Sequence, residues 1–105
     1  MKLLSRAEEI ILLSILKLGD QAYGVSIHRQ IETDTGDAWS FASIYTPLDK
    51  LTQKGYVEKV AGEPTAERGG KRKFYYRLME PGKEALREIR RATDSVWSNL
   101  PETAL

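Results

Sequence analysis

The sequence contains no cysteine and only one histidine, His28, among its 105 residues. Without cysteine there can be no disulfide scaffold, no thiolate metal site and no cysteine nucleophile. A single histidine also leaves the common zinc sites and the Ser-His-Asp arrangement without the residues that they need. His28 stands beside Arg29 and has no patterned partner, so we expect it to be an exposed helix residue. These absences predict a protein that is not an enzyme and that holds no cofactor or metal ion.

Long hydrophobic runs are also absent. The longest apolar stretch, residues 10–16, is far too short to span a bilayer. Glu8 and Glu9 precede it and no small-residue cleavage site follows it, which is not the pattern of a signal peptide. Hydrophobic residues are 41% and charged residues 30% of the chain, which are ordinary globular values. We therefore expect a small cytoplasmic protein of one-domain size that makes no membrane contact.

The charge of the chain is unevenly distributed. The formal net charge is only +1, but residues 42–77 hold eight lysines and arginines against four acidic residues. That segment has a surplus of +4, which leaves −3 for the rest of the chain. A basic face on a nearly neutral protein can attract a polyanion locally. The alternative is a lysine-rich loop that is merely solvated.

Capping residues and hydrophobic periodicity predict two helices at the start of the chain. Ser5 and Glu8 form a capping-box pattern before an almost continuous apolar segment, and Gly19 stops that helix. A second helix is predicted to open at Tyr23 or Gly24. Its inward-facing residues are expected to be Val25, Ile27 and Ile31. Residues 33–37 read as a loop because they combine threonine, aspartate and glycine.

A third predicted helix has a polar outer face. Ser43 is its expected N-cap, and Gly55 ends it. Its buried face is expected to hold Ile44, Leu48 and Leu51, which follow helical spacing. Its outer face is expected to hold Tyr45, Thr46, Asp49, Lys50, Gln53 and Lys54. Each outer side chain can reach a phosphate or a base edge. Pro47 lies late for a first turn, which leaves the exact start of the helix open.

Two segments after the third helix predict a β-hairpin. Residues 56–60 and 73–78 alternate apolar and polar side chains, as half-buried strands do. On the second strand, Phe74, Tyr76 and Leu78 are expected to lie on one side. The connecting loop, residues 61–72, is polar and has a basic tip at residues 68–72. Three helices followed by a hairpin with a cationic tip form the pattern of a winged helix-turn-helix. Its third helix is expected to read the major groove, while the basic tip lies on phosphates or in the adjacent minor groove.

The last segment predicts a long helix from Pro81-Gly82 to about Leu100. Its apolar residues step by three and four along the chain, as in a coiled coil. They are Leu86, Ile89, Thr93, Val96 and Leu100. A second copy of the chain would cover this stripe. The alternative is that the stripe packs onto the first helix of the same chain, and both kinds of packing can occur together. We therefore expect a mainly α fold with a β-hairpin wing, divided into a DNA-binding domain (1–79) and a C-terminal dimerisation helix and tail (80–105).

Several motifs resemble those of the PadR-type transcriptional regulators. They are Leu12-Leu13-(x2)-Leu16, Tyr23-Gly24, Trp39, Ser43-Ile44-Tyr45, Leu48-(x2)-Leu51, Lys54-Gly55-Tyr56-Val57 and the segment from Gly69 to Leu78. The resemblance runs from about Leu4 to Ile89, and the length is similar to that of the short subgroup with one C-terminal helix. The family usually places proline directly after the tyrosine of the third helix, whereas Thr46 precedes Pro47 here.

The resemblance implies a homodimeric, sequence-specific DNA-binding repressor that leaves its operator when a small molecule or another signal binds. For a dimer, the operator is expected to be an inverted repeat in double-stranded DNA. The implied DNA contacts are Tyr23, Ser43, Tyr45, Thr46 and Lys50 from the helices and Lys71, Arg72 and Lys73 from the wing. For Tyr23 and Tyr45, packing between helices is the alternative.

Trp97 flanks the proposed dimer stripe and is a candidate effector residue. Two copies of its indole in a dimer could hold a planar aromatic compound by stacking. The alternative is that Trp97 packs the dimer core, as interface aromatics often do. For the protein as a whole, the alternative function is a winged-helix protein-interaction module that binds an acidic partner without specific DNA binding.

Overall fold

The computed structural model describes residues 2–64 and 72–105 of the chain. Its elements are α1 (Arg6–Leu18), α2 (Gly24–Thr35), α3 (Phe41–Gln53), β1 (Val57–Pro64), β2 (Arg72–Leu78) and α4 (Glu80–Trp97), with short 3-10 turns at Gly19–Gln21 and Glu102–Ala104. The mainly helical architecture with one antiparallel hairpin and a C-terminal helix is the one predicted from the sequence. Most of the basic tip, residues 68–71 with Lys71, lies outside the described residues.

The first helix begins and ends where its capping residues predict. The Ser5 hydroxyl accepts the Glu8 N–H at 3.1 Å, and the Ser5 N–H donates to Glu8 Oε1 at 2.7 Å. The two bonds satisfy donors that the helix itself leaves unpaired. Gly19 follows the last turn with a φ of 60°, a backbone conformation that favours glycine. The predicted capping box and the predicted stop are both confirmed.

The core lies where α1, α2 and α3 meet one face of the hairpin. Its fully buried aliphatic side chains come from all three helices: Ile11, Leu12, Ile15, Ile27, Ile31, Ile44, Leu48 and Leu51. The hairpin adds Val57, Tyr76 and Leu78. Burying this many side chains in one cluster supplies most of the driving force for folding. The predicted inward faces of the second and third helices are confirmed except at Val25.

The second helix differs from its prediction at three places. It continues to Thr35 and ends at Gly36, whose φ is 80°, so residues 33–35 are helical and not a loop. Val25 is 38% exposed because it lies in the first turn, which projects beyond the core. His28 is half-buried and not exposed, since its Nε2 lies 2.6 Å from the Trp39 carbonyl oxygen.

The third helix starts earlier than predicted. Ser40, not Ser43, is the N-cap, because the Ser40 hydroxyl accepts the Ser43 N–H at 3.1 Å. Pro47 therefore lies inside the helix, where it cannot donate to the Ser43 carbonyl. The helix continues past the proline because its apolar residues on both sides are fully buried in the core. Gly55, with a φ of 81°, follows its end as predicted.

The hairpin is tied to the body of the protein through β2. Val57 pairs with Leu78 and Lys59 with Tyr76 in an antiparallel register. The Tyr76 N–H donates to the Ala22 carbonyl at 2.8 Å, so the segment before α2 lies along the edge of β2. Tyr76 and Leu78 are 4% and 9% exposed, but Phe74 is 47% exposed. The alternation of apolar and polar residues predicted that Phe74 lies inward with Tyr76 and Leu78. This prediction is wrong because Phe74 lies on a part of β2 that extends beyond the core.

The last helix packs onto the body at its start and leaves it towards its end. A Cβ at Gly82 would lie 2.5 Å from the Tyr56 carbonyl oxygen, so only glycine allows this close approach. Leu86 belongs to the core cluster and Ile89 packs against it. Val96 is 80% exposed. The helix ends at Trp97, so Leu100, predicted as the last residue of the stripe, lies beyond the helix.

Candidate nucleic-acid interface

A cleft of about 310 Å³ opens between the start of α2, the exposed face of α3 and the hairpin. Its walls bring tyrosine hydroxyls, cationic side chains and one phenyl ring together: Tyr23, Tyr45, Lys59, Arg72, Lys73 and Phe74. Asp49 is the acidic side chain of the lining. Within the described residues, no carboxylate lies within ion-pair distance of the three cations. A partly enclosed space lined by three cations and one carboxylate has a net positive charge and attracts anions.

Tyr23 is held in the cleft wall by two side chains of β2. Its ring meets the Tyr75 ring edge-on, with centroids 5.6 Å apart. The Lys73 ammonium lies 4.2 Å from the Tyr23 ring centroid, a cation–π contact. Tyr23 therefore both packs against the hairpin and lines the cleft, so the two alternatives weighed for this residue are compatible.

Tyr45 touches the first residue of α2. A Cβ built on Gly24 would lie 1.7 Å from the Tyr45 hydroxyl oxygen, so no larger residue fits at position 24 without moving that ring. Beneath them, Tyr76 is 4% exposed. Burial, followed by the neighbouring Tyr45 and Asp49, raises the pKa of the Tyr76 hydroxyl above its usual value of 10. That hydroxyl stays a neutral donor at physiological pH.

Three aromatic rings form a row beside the cleft. The His28 and Phe41 rings are stacked with centroids 4.6 Å apart and planes 19° apart. The Phe41 and Tyr45 rings follow at 6.1 Å and 17°. Phe41 lies in the first turn of α3 and is 48% exposed. The row links α2 to the exposed face of α3.

The structure gathers some of the predicted DNA-contacting residues and separates others. Tyr23, Tyr45, Arg72 and Lys73 share the cleft. The remaining predicted residues of α3 lie outside the cleft lining and are exposed: Ser43, Thr46 and Lys50. The Ser43 hydroxyl is 2.8 Å from that of Ser40.

Sequence reasoning missed Lys59, Phe41 and Phe74 as surface residues of this region. Lys59 was not indicated by strand alternation, which places it on the same face as the buried Val57; only its positive charge was a signal. Phe41 could have been found by choosing Ser40 as the helix cap, which places residue 41 in the first turn.

The other dense group of cations is neutralised. On α4, Arg87 contacts both Glu80 and Glu84 at 2.9 Å, and Arg91 contacts Glu88 at 2.9 Å. Hydrogen bonds from Arg87 hold the pKa of the exposed Glu84 carboxyl below its usual value. Among the described residues, the arginines of α4 are therefore paired with carboxylates, whereas Lys59, Arg72 and Lys73 of the cleft are not.

The described part of the chain contains neither a metal-binding cluster nor a membrane-spanning helix. There, no group of three or more histidine, aspartate or glutamate side chains is placed to hold a metal ion. Across the same residues, none of the helices has the length and apolar character needed to cross a membrane.

Three packed helices, a hairpin directly after the third, and a cationic cleft between them define a winged helix-turn-helix protein. The family model described as the transcriptional regulator PadR-like family matches residues 12–88. The chain belongs to this PadR-like family of transcriptional regulators. Among curated proteins, no match to the chain was found.

Solved structures agree with this assignment. A transcriptional regulator from Clostridium thermocellum is similar with a TM-score of 0.72 and 24% identity, over 86% of this chain and 82% of that one. The structure of the hsRosR-S1 complex is also similar, with a TM-score of 0.67 and 30% identity over 92% of this chain and 79% of that one. RosR is a protein of H. salinarum. A PadR family transcription regulator from Clostridium difficile gives 26% identity, 85% and 88% coverage and a TM-score of 0.63.

Proposed function

We propose that this protein is a cytoplasmic repressor that binds an inverted-repeat operator in double-stranded DNA as a homodimer. Residues 1–79 form the DNA-binding domain and residues 80–105 the dimerisation helix and tail. The observation that carries the proposal is the cleft, where Lys59, Arg72 and Lys73 surround tyrosine hydroxyls beside the exposed face of α3. Membership of a family of transcriptional regulators supports it.

The cleft is suited to a DNA backbone phosphate. Cationic side chains and tyrosine hydroxyls are common phosphate ligands, and the first residues of α2, Gly24 and Val25, line the same cleft. With a phosphate in the cleft, α3 faces the adjacent major groove. Ser43, Thr46 and Lys50 are then the residues that reach base edges, while the hairpin follows the backbone.

Exposed apolar side chains on α1 and α4 support the homodimer. Leu13 and Leu16 are 38% and 51% exposed and line one groove with Leu86 of α4. Further along α4, Val96 and Trp97 are 80% and 56% exposed. Apolar surface of this kind on two neighbouring helices favours burial against a second copy, in addition to the intrachain packing of the first half of α4.

Release of the operator by an effector is the last part of the proposal. Trp97, at the end of α4, presents more than half of its surface to solvent in one chain. In a dimer formed through α4, it offers an indole face to a planar aromatic compound. Occupation of this site would change the spacing of the two DNA-binding domains and so weaken operator binding.

A binding assay with DNA from upstream of the protein's own gene tests the proposal. We expect a fluorescence anisotropy titration to give at least a hundredfold preference for this DNA over random DNA, a modest value for specific binding. Lys73→Ala should weaken binding, whereas the matched control Lys17→Ala, on α1 and outside both the cleft and the apolar groove, should not. Equal affinity for both DNAs at every salt concentration would favour a protein-interaction module instead.

A further inference from the structure

Phe41 is an apolar side chain on a surface otherwise suited to DNA. It is the first residue of α3, the helix proposed to enter the major groove, and 48% of its surface is exposed. Its ring stacks towards Tyr45, which lines the cationic cleft, so the phenyl group continues the proposed DNA-binding surface. Along the helix it begins the apolar row that continues into the buried Ile44 and Leu48, and it is exposed because it lies at the end of that row, next to the polar N-cap Ser40.

The Phe41 ring is also fixed in position. His28 stacks behind it at 4.6 Å, and His28 is itself held by the contact between its Nε2 and the Trp39 carbonyl oxygen at 2.6 Å. A phenyl ring supported on one face loses little further conformational freedom when a ligand covers it. The row of rings therefore presents a preorganised apolar surface, not a freely rotating side chain.

The major groove offers one strongly apolar group to such a surface. The C5-methyl group of thymine projects into it, and apolar side chains contact that group in protein–DNA complexes. Cytosine offers the same chemistry only when its C5 carbon is methylated. Phosphates, sugars and the other base edges present mainly charge or hydrogen-bonding atoms.

We propose that Phe41 is a specificity-determining residue that recognises the C5-methyl group of a pyrimidine in each operator half-site. His28 is the positioning residue that holds the ring. This inference rests on the proposed function, because it assumes that α3 enters the major groove. It predicts a preference that hydrogen-bonding residues alone would not give, since the methyl group carries no donor or acceptor.

The test replaces thymine by uracil, which removes only the C5-methyl group. Selection from random duplexes first defines the operator, and each thymine of a half-site is then changed to uracil in turn. At one position we expect the affinity of the wild-type protein to fall about fourfold, and about fifteenfold when both half-sites are changed. Phe41→Ala should bind the thymine and uracil duplexes equally, and Phe41→Leu should restore part of the difference.

A second arm separates the two sources of the methyl group. At the same position, a cytosine–guanine pair and a 5-methylcytosine–guanine pair are compared. Tighter binding of the methylated pair by the wild-type protein, but not by Phe41→Ala, shows that the methyl group itself is recognised. Thermal unfolding of each variant confirms that it is folded. His28→Gln, which removes the ring behind Phe41, should reduce the preference for thymine over uracil without abolishing operator binding.

Two results would overturn the inference, and they differ from failure of the proposed function. If every uracil substitution affects the wild-type protein and Phe41→Ala equally, Phe41 does not read the methyl group. If no uracil substitution weakens wild-type binding, no methyl group is read at all. If the selection enriches no sequence, the proposed sequence-specific function fails first, and this inference fails with it.

Discussion

Gly24 and Tyr45 belong to different helices, but each limits what the other position can hold. The Tyr45 hydroxyl occupies the space that any side chain at position 24 would need. The short motifs Tyr23-Gly24 and Ser43-Ile44-Tyr45 are therefore two sides of one contact. This contact sets the position of a tyrosine on the exposed face of α3 and on the wall of the cleft.

Gly24→Ala should destabilise the protein by about 1 kcal/mol, the low end of core overpacking, because the added methyl group displaces the far end of a Tyr45 side chain that is 37% exposed. In a Tyr45→Ala background the same substitution should cost much less, since the space is then empty. Urea denaturation of the four proteins in this cycle measures the difference. An equal cost in both backgrounds would show that the Gly24–Tyr45 contact is not the cause.

The capping box of α1 makes stability depend on pH in the acid range. Burial pulls the pKa of Glu8 upwards, but hydrogen bonds from Ser5 and the nearby Lys54 and Lys2 outweigh it, so the pKa lies below its ordinary value of 4.5. A lowered carboxyl pKa adds stability that is complete above about pH 4.5. That stability is lost as the pH falls through the lowered value.

Glu8→Gln should therefore lose stability at pH 7 and show a shallower decline towards acid pH than the wild-type protein. We expect a loss of about 0.5–1 kcal/mol at pH 7, typical of a helix-capping contact. Thermal unfolding between pH 7 and pH 3 provides the comparison, with the exposed Glu102→Gln as a control. Parallel pH profiles for wild type and Glu8→Gln would contradict this role of Glu8.

At the scale of elements, the hairpin and α3 have different proposed tasks. Arg72 and Lys73 of β2 lie in the cleft with Lys59, where we propose that a DNA phosphate binds. Ser43 and Lys50 lie on the exposed face of α3 outside that cleft. Phosphate contacts affect all sequences alike, whereas contacts to base edges discriminate between them.

Arg72→Ala or Lys73→Ala should weaken binding to all duplexes and lower the slope of log affinity against log salt concentration by about 1. The same is expected of Lys71→Ala in the hairpin tip. Ser43→Ala and Lys50→Ala should instead reduce the preference for operator over random DNA. Titrations at several salt concentrations separate the two effects, and a wing variant that changed base preference with an unaltered salt slope would refute this division.

Elements defined by local chemistry could be predicted from the sequence, and those decided by tertiary packing could not. The capping box at Ser5 is a local signal and was correct. The strand predicted at residues 56–60 is present as β1 but continues to Pro64, so residues 61–64 belong to the strand and not to the predicted loop. The start of α3 was wrong because Ser40 and Ser43 are both acceptable caps. Only the packing of Trp39 and Phe41 on His28 distinguishes them.

The cleft was predictable in its residues but not in its shape. Tyr23, Tyr45, Arg72 and Lys73 were all selected from the sequence, yet no pattern in the chain shows that Gly24 accommodates the Tyr45 hydroxyl. Phe74 was placed inward because strand alternation does not reveal where the core ends. His28 was expected to be exposed because its stacking partner lies thirteen positions away in sequence.

At the scale of the whole molecule, the end of α4 is the proposed binding site of an effector. Trp97 is 56% exposed in the single chain. In a Trp39→Phe background, Trp97 is the only tryptophan and reports on its own surroundings by fluorescence. We expect planar aromatic compounds, cationic ones above all, to quench this fluorescence saturably.

Trp97→Ala should abolish binding of such a compound but leave the protein dimeric. Calorimetry measures the binding, and analytical ultracentrifugation measures the oligomeric state. Trp97→Phe should retain part of the affinity because it keeps an aromatic face. A Trp97→Ala protein that is monomeric, or a Trp97 fluorescence that no flat aromatic compound quenches, would make this residue structural.

Footprinting on the selected operator tests the central claim most directly, because it reports the sequence and the symmetry of the bound site. Both copies of α3 must enter the major groove on one face of the duplex. The protected site should therefore be an inverted repeat with half-site centres about 10 base pairs apart or a multiple of that spacing. Sedimentation of the same complex should give two chains per site. Protection of a single asymmetric half-site by one chain would contradict the account.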